Sequence, residues 1–131
     1  MVAAPVQEKP ILTLSITALR SQQGVVCVAL FSSAEGFPND STQAVKAEQF
    51  PIREIPLIIK FLDLPFGRYA VSVFHDENGD GELNQGLFGI PQEGLGFSKN
   101  PQLWKGPPEF QQADFEFTPE NNVVEIAMKY F

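Results

Sequence analysis

The chain has 131 residues, 44% of them hydrophobic and 19% charged, so it can build a core and does not have the composition of a disordered tail. Its formal net charge is -7, and its 9 Lys and Arg residues form no run. That balance argues against nucleic acid or an anionic lipid surface as partner, and no stretch approaches the ~20 apolar residues of a transmembrane segment.

Residues 1–10 hold Pro5 and Pro10, show no period, and read as an extended lead-in. The small residues of MVAAPVQEKP fit a mature N-terminus left after an export signal is removed; no signal peptide stands in the sequence itself. In ILTLSITAL, Leu12, Leu14, Ile16 and Ala18 alternate with Thr13, Ser15 and Thr17, the period of a half-buried strand. SQQG is a turn, and GVVCVALF is apolar on both faces, as in a central strand. The single cysteine, Cys27, lies in that run as a buried thiol, so no intrachain disulfide is possible. Residues 32–53 are irregular, with Asp40 or Ser41 placed to cap a short helix over STQAVKAEQ.

IPLIIKFLDL then predicts a strand with Ile55, Leu57, Ile59 and Phe61 on one face, and LPFG a turn. RYAVSVFH follows with Tyr69, Val71 and Val73 alternating. Near the C-terminus ADFEF sets Ala113, Phe115 and Phe117 on one face, and VVEIAMKYF points Val124, Ile126, Met128 and Tyr130 inward. Short strands joined by tight turns, without a βαβ rhythm, predict an all-β antiparallel sandwich of about seven strands over residues 11–131, as a single domain. Its expected core is Leu14, Ile16, Val28, Leu57, Ile59, Val71, Val73, Phe115, Ile126 and Met128. A long Gly- and Pro-rich connection runs from Asn84 to Gln112. Its apolar residues, including Phe88, Ile90, Leu95, Phe97 and Trp104, predict an excursion that folds back on the sandwich, with Trp104 shielded.

The stretch HDENGDGELN carries the chemistry. Asp76, Asn78 and Asp80 stand at alternate positions, followed by Gly81. A hard cation such as Ca²⁺ takes several oxygens at about 2.3–2.6 Å, and short acidic and amide side chains at every second position of a tight loop supply them. Against the twelve-residue EF-hand loop, these residues fall at the first, third, fifth and sixth positions. Glu82 offers its carbonyl, Asn84 sits at the ninth, and Leu87 stands where a bidentate Glu belongs. Glu93 is the carboxylate that a folded-back loop would bring in its place. The expected metal set is therefore Asp76, Asn78, Asp80, Glu82, Asn84 and Glu93. Without a twelfth-position carboxylate, affinity falls toward the order of 10⁻⁴–10⁻³ M. The competing reading is a metal-free turn, because Asn-Gly and Asp-Gly are favoured hairpin dipeptides; the upstream run alternates like a strand, whereas ELNQGLFG does not.

His75 is the only histidine and falls on the Tyr69/Val71/Val73 face at a strand end, where a hydrogen-bonded structural role is expected. One His and one Cys are too few for a zinc site, and no G-x-S-x-G nucleophile motif is present.

Four stretches, VALFSSAEGFP (28–38), LPFGRYAVSVFHDENGDGELN (64–84), FGIPQEGLGFSKN (88–100) and GPPEFQQADF (106–115), together resemble the bacterial family of domain of unknown function 2141. The resemblance implies small exported bacterial proteins with an immunoglobulin- or transthyretin-like sandwich, and no established activity. Where that family typically has Asn-Asn after Phe-Ser, this chain has Lys99-Asn100. The LPFGRYAV turn is also similar to the strand entry of prealbumin-like surface modules, whose frequent role is cell-surface or carbohydrate binding. The resulting expectation is a non-enzymatic exported binding or structural module, monomer or weak oligomer, whose calcium loop orders a long surface loop facing a carbohydrate, peptide or cell-envelope ligand. The alternatives are a small metal-assisted hydrolase using His75 and nearby carboxylates, and a metal-free structural envelope protein.

Overall fold

Alternation of apolar and polar side chains produces strands almost everywhere it occurs in this chain. A computed structural model describes residues 10–77, 94–103 and 106–130. Among these residues it has eight strands: β1 (Ile11–Thr17), β2 (Val25–Phe31), β3 (Lys46–Pro51), β4 (Leu57–Leu62), β5 (Gly67–Asp76), β6 (Leu95–Phe97), β7 (Phe115–Phe117) and β8 (Val123–Ala127). One short helix, α1 (Phe110–Ala113), precedes β7. The all-β sandwich expected from the sequence is what forms. A three-stranded sheet runs β4-β1-β8, and a five-stranded sheet runs β3-β2-β5-β6 with β7 on the first part of β5. Every pairing is antiparallel except that of β1 with β8, which run parallel with Leu14 beside Val124 and Ile16 beside Ile126.

The core lies between the two sheets. All ten residues expected there are buried, joined by Leu12, Leu30, Leu64 and Phe117 among others. Each large apolar side chain taken out of water contributes about 1.5–3 kcal/mol, which must offset the entropy of ordering the chain. Cys27, on the outer side of β2, is half-buried where full burial was expected.

Three local expectations are corrected. The fourth strand starts at Leu57, and Ile55 lies before it, 42% exposed. The helix expected over STQAVKAEQ is a three-residue 3₁₀ turn, Ser41–Gln43, with the Asp40 carboxylate accepting the Thr42 N–H at 3.2 Å. The chain beyond it becomes β3, paired with β2 from Leu30–Lys46 to Val25–Pro51. Pairing with a central strand satisfies that strand's open edge, and this outweighs a helical preference too weak to persist over so few residues. Finally, the connection from Asn84 to Gln112 is interrupted by β6 and α1. Phe74 pairs with Leu95 and Ser72 with Phe97, so β5 and β6 are the two arms of a hairpin whose second arm lies beyond ELNQGLFG.

A second apolar cluster covers the outer face of the five-stranded sheet. Ala70, Phe97 and Ala113 form it, with Phe37, Leu95, Leu103 and Phe110 packed against them. The Phe37 ring meets Phe31, Phe97 and Phe110 edge-on at 5.4, 6.1 and 5.9 Å. Buried Ser98 accepts the Val71 N–H at 2.9 Å and donates to the Ala113 carbonyl at 2.5 Å, tying α1 to β5. Leu95, Phe97 and Leu103 thus pin their part of the excursion as expected, whereas Phe88, Ile90 and Trp104 lie outside the described residues.

Two contacts join β6 to β8. Gly96 faces the core, and a Cβ there would stand 2.7 Å from Ile126 Cγ2 and 2.8 Å from Met128 Sδ. Leu95 and Lys129 exchange backbone hydrogen bonds of 2.9 and 2.7 Å, which link the two sheets along one side. The remaining edge of β8 is covered by one side chain. Asn100 accepts the Ala127 N–H at 2.8 Å and donates to the Glu125 carbonyl at 3.1 Å, imitating a neighbouring strand. Gly96→Ala should therefore destabilise the fold by about 1–3 kcal/mol through overpacking. Asn100→Ala should cost about 1–3 kcal/mol from two lost hydrogen bonds. Urea denaturation midpoints check both; an unchanged midpoint would contradict the packing described.

Candidate functional site

The end of β5 carries His75 and Asp76, with Glu77 directly after. Successive residues of a strand face opposite sides. His75 therefore turns into the sandwich, where it is fully buried, and Asp76 turns to the outer side with Ser72 and Phe74. Burying an imidazole is tolerable only if both nitrogens are satisfied. The His75 Nε2–H donates to the Gln23 carbonyl at 2.7 Å, and because a carbonyl only accepts, the proton belongs on Nε2. With the proton there, Nδ1 is left to accept from the Tyr130 hydroxyl at 2.8 Å. The same hydroxyl receives the Arg20 backbone N–H at 3.1 Å. One chain of hydrogen bonds thus crosses from the β1–β2 turn to the end of the last strand and back. Gly24, with φ 73°, makes the close approach possible, since a Cβ there would collide with the Asp76 carbonyl oxygen.

A charged pair lies beside this chain. The Arg20 guanidinium grips Glu77 with Nη2 and with Nε, the latter at 3.1 and 3.2 Å from the two carboxylate oxygens. Ser21 Oγ donates to the same carboxylate at 2.9 Å. Arg20 also lies 4.5 Å over the Tyr130 ring, a cation–π arrangement. Hydrogen bonding to Arg20 holds the Glu77 carboxyl below its ordinary value, against the opposing effect of partial burial and with help from Ser21. Burial pushes the Tyr130 hydroxyl up.

Of the six residues expected to ligate a metal, Asp76 is placed at the last position of β5 with its side chain fully buried. Asn78, Asp80, Glu82, Asn84 and Glu93 lie outside the described residues. Among the described residues no group of three or more His, Cys, Asp and Glu converges on a metal-sized site. The structural, hydrogen-bonded role expected of His75 agrees with its two ring contacts. Arg20, Gln23, Glu77 and Tyr130 were not expected at the site. Alternation had put Tyr130 on the inward side, which was the one usable signal; nothing in a polar turn marks Arg20 as the partner of a residue 57 positions on.

Fold and site together define a two-sheet β-sandwich with an acidic segment rooted at the end of its longest strand. The chain belongs to DUF2141, a family described as uncharacterized proteins conserved in bacteria, whose model matches residues 14–125. That span begins in β1, ends in β8 and takes in the whole acidic segment. No curated protein and no solved structure matches the chain. No helix among the described residues is long and apolar enough to cross a membrane.

The Arg20–Glu77 pair has a pH signature. A carboxyl whose folded-state pKa is depressed contributes stability that is present above its unfolded value and is lost as pH falls through the folded value. The stability advantage of the wild type over Glu77→Gln should therefore be constant near neutrality and shrink below about pH 4.5, the ordinary value. Paired denaturation curves from pH 7 to pH 3, as an order-of-magnitude window around carboxylate titration, measure it. A gap that does not change with pH would contradict the ion pair.

Proposed function

We propose that this protein is a non-enzymatic exported module whose segment from Asp76 to Glu93 binds a Ca²⁺-type cation, and that the ordered loop serves recognition of a cell-envelope, carbohydrate or peptide ligand. The observation that carries the cation reading is the placement of Asp76. It is the first oxygen donor of the D-x-N-x-D-G run, and it sits fully buried at the end of a ten-residue strand paired on both sides. A carboxylate held out of water is kept there by hydrogen bonds or opposite charge. A divalent ion shared with Asn78 and Asp80 would add charge compensation in the geometry that oxygen ligands at alternate positions favour. The net charge of -7 favours cation attraction in general.

The hydrolase alternative needs His75 as a base. Both ring nitrogens are engaged, the ring is fully buried, and the hydroxyl it contacts belongs to Tyr130, so the geometry favours a structural histidine. The family description carries no activity that would shift this balance.

Calcium titration of the full chain by calorimetry tests the reading. A saturable Kd on the order of 10⁻⁴–10⁻³ M is expected, with about 2.7 kcal/mol of stabilisation at one hundred times Kd. Asp80→Ala and Asp76→Asn should abolish the calcium-dependent part of the thermal shift. Identical melting in calcium and in chelator for the wild type would end the cation reading and leave the acidic run as a turn.

A further inference from the structure

β4 ends the three-stranded sheet, and no strand among the described residues lies on its far side. Which of its backbone groups face outward follows from its neighbours. The Thr13 N–H donates to the Asn122 carbonyl and the Met128 N–H to the Thr17 carbonyl, so Thr13, Ser15 and Thr17 direct their backbone groups at β8. Leu12, Leu14 and Ile16 then direct theirs at β4, where they stand opposite Phe61, Ile59 and Leu57. Alternate residues of a strand bond to opposite sides. Ile58, Lys60 and Leu62 therefore turn one donor and one acceptor each away from the sheet. Their side chains lie on its outer face, Ile58 45% and Leu62 61% exposed, with Ile11 beside Leu62. Among the described residues no carboxylate pairs with Lys60. Other sheet edges are better protected. β3 is lined by exposed Lys46 and Glu48 and ends in Pro51, which has no N–H to offer. β8 is bonded by Asn100 and, through Lys129, by Leu95.

We propose that the β4 edge docks an extended peptide segment of a partner protein, added as a further antiparallel strand, with an acidic residue opposite Lys60 and apolar residues opposite Ile58 and Leu62. In strand addition, main-chain hydrogen bonds supply affinity and alternate side chains supply selectivity. The acidic centre follows from charge: opposite charges directly across a sheet attract, like charges repel, and Lys60 is the one charge in β4. The same rule sets a second copy of the chain aside. Two β4 strands aligned with Ile58 facing Leu62 put Lys60 against Lys60. Shifting that alignment by two residues sets Leu62 opposite Pro56, which lacks an N–H, or Ile58 opposite Leu64, which is buried in its own chain. The site uses no metal and none of the acidic segment, so it is independent of the cation reading.

The test is amide hydrogen exchange by NMR on the full chain in chelator, with and without an acetylated, amidated peptide Thr-Val-Thr-Glu-Thr-Val-Thr. Its pattern reads the same in both directions. In the free protein the amides of Ile58, Lys60 and Leu62 should exchange at least roughly a hundredfold faster than those of Leu57, Ile59 and Phe61. The peptide should slow the first three and leave the others unchanged. Replacing its Glu by Lys should weaken binding roughly three- to tenfold, and Lys60→Glu, a change at an exposed side chain, should reverse that preference. A peptide N-methylated at its Val and Glu residues cannot donate to the edge and should not bind. Unchanged exchange at the peptide's solubility limit would overturn the proposal. So would equal binding of the N-methylated peptide, or a preference that Lys60→Glu does not alter. Protection of Ile58, Lys60 and Leu62 that rises with protein concentration in the absence of peptide would assign the edge to a second copy instead.

Discussion

The parallel pairing of β1 with β8 is the constraint from which the rest follows. Its register puts Ile16 beside Ile126 and Thr17 beside Ala127, and the Met128 N–H continues it by donating to the Thr17 carbonyl at 2.9 Å. With that register set, Lys129 reaches Leu95 and Tyr130 reaches the turn after β1. A slip of one residue would invert every side chain of β8, turning Ile126 and Met128 to solvent and Tyr130 away from His75. The core and the candidate site therefore depend on the same alignment.

The end of β5 shows how one strand serves two environments. His75 and Asp76 are adjacent and both fully buried, yet they belong to opposite sides of the five-stranded sheet. On both sides polar groups are matched within the protein: among the described residues no buried side-chain nitrogen or oxygen lacks a hydrogen-bond partner. On the outer side, a carboxylate is held at the point where the chain leaves the sheet. A rigid inner network behind a charged outer group resembles the way binding sites are supported by the residues that pack behind them.

Much of this was legible because period-2 alternation survives wherever one face is buried. Leu57, Ile59 and Phe61 in β4, and Val71 and Val73 in β5, were readable for that reason. β3 was not, since Lys46 to Gln49 are exposed and an edge strand with no buried face carries no apolar rhythm. β6 was hidden by its length of three residues and by Gly96, whose missing side chain is what allows β8 to approach. At the site, the D-x-N-x-D-G spacing was visible because it is local. The hydrogen-bond chain beside it was not, because Arg20, His75 and Tyr130 meet only through strand pairings that no short window of sequence records. The departure at Lys99-Asn100 has a physical reading too. Both residues have positive φ, Asn100 uses its amide to bond β8, and the turn demands conformation at 99 more than it demands a particular side chain.

The parallel β1–β8 pair also has a bearing on how the chain is made. Translation delivers β1 first among the strands and β8 last, so Leu12, Leu14 and Ile16 wait for their second neighbour through nearly all of synthesis. Bringing together residues about 110 apart costs about 1.5 kcal/mol more in closure entropy than joining the ends of a loop of about 20. Hairpins such as β2–β3 and β5–β6 have no such delay. The nascent protein would carry only β4 and β1 of the three-stranded sheet, with apolar surface bare, until β8 emerges, and topologies dominated by such distant partners fold slowly. A chaperone or a translocation machine that holds chains in an unfinished state would meet this one with its last seam still open.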